Sequence, residues 1–238
     1  MRVIKLVSDA ETTHVDPMIG GVASWASLNY ARPDQTFYME CRVADHKTVD
    51  PGALKVNGFT EEQVRDPKKP SEEELTVAFF DWAMKQAEGY EGPVRLEIAG
   101  ENPRFDTGHL RAISDPMKLE WIFGHRTMDL HSVVQGRLEE LNPKYRESGV
   151  VEILVNTDIA IEFTGLELRR GPHTASEDVK LEAEAFSRAL RGRGLINEYE
   201  DLPIPGYLYP YADMRLRESE ILEFCRRVEE RESAKEKK

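Results

Sequence analysis

At 238 residues the chain is long enough for one α/β domain with a sizeable core and a C-terminal extension. Its 32 basic and 44 acidic side chains leave a formal net charge of -12, which argues against a broad phosphate-tracking surface, because such surfaces rest on many Lys and Arg contacts. Cys41 and Cys225 are too few for a disulfide scaffold or a cysteine zinc site, no apolar run approaches a membrane span, and no segment resembles a secretory leader. A soluble protein of a reducing, cytoplasmic compartment is therefore expected.

Residues 3–10, 18–30 and 36–43 read as three strands, with Arg32-Pro-Asp-Gln35 as the turn between the last two. Strands joined so closely imply an antiparallel meander. Short helical pieces follow at 51–56 and 61–64. A longer helix then starts at Ser71, a natural N-cap followed by acids, and sets Leu75, Phe79 and Trp82 on one side. Residues 94–99 form a fourth strand. Asp106 stands at the junction between that strand and a helix-like stretch at 107–113. Residues 126–129 form a short fifth strand leading into a helix through Leu138. Strands that alternate with helices in this half imply parallel additions to the meander. The expected fold class is thus α/β, a mixed five-stranded sheet flanked by helices.

Residues 139–150 read as a loop and 156–165 as a short helix stopped by Gly165, while 150–155 is left open between strand and coil. Val179, Ala183, Phe186 and Leu190 recur at helical spacing, with His173 just before that helix and Asp178 inside it. Residues 195–211, with three prolines and four tyrosines, suggest an ordered arm. A helix over 214–231 takes its apolar side from Leu216, Ile221, Leu222, Phe224 and Val228, and the charged residues 229–238 read as a frayed tail.

The chemistry lies in the acids. Asp9 and Glu11 end an apolar strand at an i, i+2 spacing, which points both carboxylates to one face. Hard oxygen ligands held that way suit Mg²⁺ or Mn²⁺. Asp106 and Asp178 each follow a local pattern of their own, and His173 precedes Asp178 by five residues.

These segments together resemble the DnaQ-like exonucleases of the DEDDh class, a branch of the ribonuclease H-like superfamily, over residues of about 3 to 191. Asp9-Ala-Glu-Thr-Thr13 resembles the first exonuclease motif, Asn102-Pro-Arg-Phe-Asp106 the second, and His173-Thr-Ala-Ser-Glu-Asp178 the third. The segment from Val49 to Thr60 resembles a turn that many relatives carry between the first two. Two positions depart from the pattern: His14 stands where relatives have glycine, and Glu101 where many have histidine. Neither is a metal ligand.

The resemblance implies a ribonuclease H-like exonuclease domain over 1–193, with 194–238 as a C-terminal arm and helix. It also implies hydrolysis of phosphodiester bonds at the 3′ end of single-stranded DNA or RNA, releasing nucleoside monophosphates. Asp9, Glu11, Asp106 and Asp178 would hold two divalent ions, and His173 would act as general base. Thr12, His14, Asn102 and Phe105 would face substrate, with core packing as the other reading of Phe105. Phe59 is open between base stacking and turn packing. Basic side chains at Arg169, Arg170, Arg188, Arg191 and Arg193 either lend positive charge or form a solvated face. The alternative function is a non-catalytic nucleic-acid-binding or scaffold module. A homodimer is the second reading of the terminal apolar helix, and a polymerase or repair partner is left unidentified.

Overall fold

In the computed structural model, which describes residues 1–167, 174–209 and 214–236, the chain divides into two units, residues 1–129 with 174–180 and residues 130–167 with 181–236. The division falls inside one helix.

The first unit is built on a five-stranded sheet in the order β3-β2-β1-β4-β5. Strand β1 (Arg2–Thr12) is central. It pairs antiparallel with β2 (Val22–Asn29) and parallel with β4 (Val94–Gly100). Buried on both flanks, β2 carries no exposed position at all, as expected of an interior strand. The edge strand β3 (Arg32–Glu40) pairs with β2 alone, and the short β5 (Met128–Asp129) pairs with β4.

Alternation along β1 sends Ile4, Leu6 and Ala10 to one face. There they join Leu96 and Ile98 of β4, Leu75 and Phe79 of α3 (Glu72–Lys85), and Leu110 and Ile113 of α4 (Pro103–Ser114). Phe79 centres this core, 5.0 Å from Trp25 and 5.6 Å from Phe123 between ring centroids. Asp9 and Glu11 have the opposite parity. The expected N-cap holds: Ser71 and Glu74 form a capping box at the start of α3. Buried Glu72 accepts from the backbone of Val22 at 2.9 Å and of Ala44 at 3.1 Å, which fixes the start of β2 against the chain leaving β3. In sequence, α1 (Pro51–Asn57) and α2 (Glu61–Val64) lie between β3 and α3, matching the expected short pieces.

Five expectations in this unit change, two of them bounds: β3 ends at Glu40 and not at residue 43, and β5 begins at Met128 and not at residue 126. Residues 18–21 are the end of a turn and the coil after it, and β2 starts only at Val22. Gly20 lies so close to His14 that a Cβ there would fall 2.7 Å from the His14 Cβ, and Thr13 N–H donates to Gly21 O at 2.8 Å. Residues 32–35 belong to β3, because the hairpin turns earlier, at Tyr30-Ala31, where the Asn29 side chain accepts from Ala31 N at 3.0 Å. Pro33 is tolerated there because β3 is an edge. Asp106 lies inside the first turn of α4, which begins three residues earlier at Pro103.

The second unit contains α5 (Leu130–Leu141), α6 (Pro143–Ser148), α7 (Thr157–Phe163), the later turns of α8 (Ala175–Arg191), two 3₁₀ turns at Asn197–Tyr199 and Gly206–Leu208, and α9 (Met214–Glu236). Helix α6 replaces an expected loop. The Asn142 side chain caps its N-terminus, Pro143 opens it, and Gly149 closes it at φ 67°. Residues 150–155 form no strand.

Every residue from 181 to 189 is buried, and Leu190, expected on an apolar face, emerges exposed at the helix end. In α9 the buried stripe is Ile221, Phe224, Cys225 and Val228. Leu216 and Leu222 fall off it and are exposed. The charged tail continues as helix to Glu236, supported by Arg226 with Glu223 and Glu230 and by Lys235 with Glu232. Arg188 and Glu184 hold residues 195–203. Arg188 pairs with Glu184 at 2.6 Å and donates to the carbonyls of Thr164, Tyr199, Leu202 and Pro203, while Glu184 accepts from Leu195 N and Ile196 N.

Candidate active site

Three carboxylates from two distant segments meet on the first unit. Asp9 and Glu11 share a face of β1, and Asp178 comes from the first turns of α8, where a negative charge is favoured by the helix N-terminus. One carboxylate oxygen from each of Asp9, Glu11 and Asp178 lies within 4.8 Å of the other two. A register shift between Glu11 and Thr12 interrupts the ladder with β2 right at this point, a device that re-aims side chains.

Asp106 approaches from α4, fully buried, and its Oδ1 accepts from the backbone N–H of Ala10 at 3.0 Å. Burial holds the Asp9 carboxyl well above the usual carboxylate range, and the nearby charges of Asp106, Glu11, Asp178 and Glu101 push it further the same way. Burial also raises Asp106, against the hydrogen bonds that its carboxylate accepts and with the charges of Glu101 and Glu11. Such crowding is unfavourable for carboxylates alone and is relieved by a cation. The donor set is all oxygen and anionic, which fits Mg²⁺ or Mn²⁺.

The other expected site residues divide. Thr12 is buried, and its carbonyl accepts from Asn57 Nδ2 at 3.1 Å, so α1 is fastened to the end of β1. The His14 ring accepts from Asp16 N at 3.0 Å within its own turn. Asn102 sits at φ 45°, a left-handed conformation that asparagine tolerates better than most residues. Its N–H donates to Asp129 at 3.1 Å and its side chain is exposed. Phe105 is half-buried outside the apolar core, with its ring 4.7 Å from that of His109. Phe59 packs with Val64 and Val43 under Lys69. His173, Arg169 and Arg170 lie outside the described residues.

Several contributors went unread in the sequence. Glu101, noticed only as a departure, places its charge on both Asp9 and Asp106. Ser24, Tyr38, Glu40, Asn57 and Thr174, together with the Phe59 already noted, line a pocket of about 210 Å³, and Ser24 is the strand partner of Glu11. Alternation on β2 could have indicated Ser24. Nothing local marks the others.

No family model matches the sequence, and no curated protein sequence matches it either. Solved structures do match. The nuclease domain of 3'hExo, a DEDDh family member bound to rAMP, superposes with a TM-score of 0.59 at 16% identity, over 84% of this chain and 95% of that one. The chain has the ribonuclease H-like fold of the DEDDh exonucleases. E. coli exonuclease I in complex with a dA16 oligonucleotide gives a TM-score of 0.55 at 21% identity over 81% of this chain, and cell-death related nuclease 4 gives 0.57 at 15% over 80%. The chain spans 41% of the exonuclease I chain and 64% of the nuclease 4 chain. Among the described residues no helix is long and apolar enough to cross a membrane.

Proposed function

We propose that the chain is a metal-dependent 3′-to-5′ exonuclease that removes nucleoside monophosphates from the 3′ end of single-stranded DNA or RNA. The observation that carries this reading is the convergence of Asp9, Glu11 and Asp178 within 4.8 Å, on a fold shared with nucleases. Exonuclease I bound to an oligonucleotide and 3'hExo bound to rAMP lend the substrate class.

Asp9, Glu11 and Asp178 would hold one divalent ion, Mg²⁺ or Mn²⁺, and Asp106 with Asp9 a second. Ions bound there would supply an activated water and charge neutralisation on the phosphate and the leaving 3′ oxygen. His173 takes the proton of the attacking water. Asp106 also orients β1 through its bond with Ala10. Thr12, His14, Asn102 and Phe105 border the terminal nucleoside. Exposed Val15, Met18 and Ile19 on the adjoining turn offer it an apolar face.

Residues 1–193 are assigned to catalysis and 194–238 to a supporting arm. The two cysteines are both free and buried, in keeping with a cytoplasmic enzyme. A strand of nucleic acid is the partner this site is built for, and a second copy or a polymerase or repair protein would bind elsewhere.

The test is product chemistry on two substrates. Linear single strands incubated with Mg²⁺ or Mn²⁺ should release only nucleoside 5′-monophosphates, and a circular single strand of the same sequence should stay intact. A cut circle would replace this reading with an endonuclease.

A further inference from the structure

His109 is buried in α4, three residues beyond Asp106, and no motif includes it. Its two ring nitrogens face two backbone carbonyls. Nε2 lies 3.0 Å from His14 O and Nδ1 lies 3.2 Å from Phe105 O. The first of these contacts joins residues 95 apart in sequence. It reaches the turn that leaves Glu11-Thr12-Thr13, which is closed at its root by Thr13 N–H to Gly21 O at 2.8 Å and by Gly20 N–H to Asp16 O at 2.8 Å. The same turn lies along α4 at Gly108, where an added Cβ would meet Pro17 at 3.7 Å.

A leucine or phenylalanine would fill this buried position without cost in burial. An imidazole is useful there only for what its nitrogens do. Resting on the exonuclease reading above, we propose that His109 is a positioning residue for the terminal nucleoside. Its Nε2–H pins the His14 carbonyl, and with it the turn 14–20, against the helix that carries Phe105 and Asp106. The two walls of the nucleoside site, one from the first motif and one from the second, are thereby kept at one separation. The reacting atoms are not touched by His109, so the bond acts on substrate binding before it acts on the chemical step.

Two amide substitutions separate the ring's contacts. A glutamine amide nitrogen falls near the place of Nε2, and an asparagine amide nitrogen near that of Nδ1. In the full-length chain, His109→Asn should lose the bond to His14 O. Backbone amides of residues 15, 16 and 18–20 should then exchange with solvent about 3- to 10-fold faster, and KM for a single-stranded oligonucleotide should rise by a similar factor with kcat within about twofold, the range expected for one neutral hydrogen bond. His109→Gln should restore both quantities. Equal loss in both variants, unchanged exchange in His109→Asn, or a fall in kcat at constant KM would each overturn the pinning role. A wild type that shortens neither DNA nor RNA would overturn the exonuclease reading and the claim about the nucleoside with it. An active wild type beside an unaltered His109→Asn enzyme would overturn the pinning alone.

Discussion

The backbone N–H of Ala10 donates to Oδ1 of Asp106 at 3.0 Å, so the strand that carries Asp9 and Glu11 is fastened by the acid of the second motif. One oxygen of this carboxylate serves structure, and under the proposed function the other would serve chemistry. The two roles separate on substitution. Asp106→Asn keeps an acceptor for Ala10 and should melt close to wild type while losing about 100-fold or more of nuclease activity. Asp106→Ala should lose the same activity and about 1–3 kcal/mol of stability, since it leaves a buried N–H without a partner. Urea unfolding beside a nuclease assay checks both.

Crowded anions at Asp9 raise a second expectation. Burial and the charges of Asp106, Glu11, Asp178 and Glu101 all oppose its ionised form. Asp9→Asn should therefore stabilise the metal-free protein, by roughly 1 kcal/mol, while removing most of the stabilisation that millimolar Mn²⁺ gives the wild type. Thermal melts in EDTA and in Mn²⁺ read both signs.

In the second unit, Arg188 is 1% exposed, pairs with Glu184 at 2.6 Å, and serves four carbonyls. Arg188→Ala leaves Glu184 buried without its cation and should cost about 3–5 kcal/mol. Arg188→Lys should recover less than half, because an ammonium cannot reproduce the planar fork of donors. Urea unfolding followed by circular dichroism gives both differences.

Burial lowers the pKa of His109 from its ordinary value, against the carbonyls of Phe105 and His14, with Lys47 lowering it and Asp16 raising it. A histidine whose folded pKa is depressed binds more protons when unfolded. Its contribution is therefore whole above the ordinary value of about 6.5 and is lost as pH falls from there towards the folded pKa. As pH falls through that window wild type should lose stability relative to His109→Gln, since Asp9 and Asp106, whose raised pKa values act with the opposite sign, are common to both proteins. An equal slope in both proteins would place the titration elsewhere.

The placement of Asp9, Glu11 and Asp178 was legible because its signals are local. Period-two alternation placed Asp9 and Glu11 on one face, and a helical period placed Asp178 in α8. Capping residues marked α3. The Asn142-Pro143 start and Gly149 stop of α6 were equally local but lay in a polar stretch read as a loop. Pro33 misled because its edge position, which makes it harmless, is a tertiary fact. Leu216 and Leu222 misled because apolar content was counted without their angular position on α9. The bonds of His109 with His14 and of Asn57 with Thr12, and the charge of Glu101 felt by Asp9, join segments far apart in sequence, where no spacing rule applies.

The most direct test is a gel time course on 5′-labelled single-stranded DNA and RNA of matched sequence, in Mg²⁺, in Mn²⁺ and in EDTA, beside Asp9→Asn. The expected result is a ladder that shortens from the 3′ end in either metal and is absent in EDTA and in the variant, with the faster ladder naming the preferred sugar. A labelled strand that stays full-length in both metals, or a ladder that Asp9→Asn leaves unchanged, would contradict a metal-dependent exonuclease at Asp9, Glu11, Asp106 and Asp178.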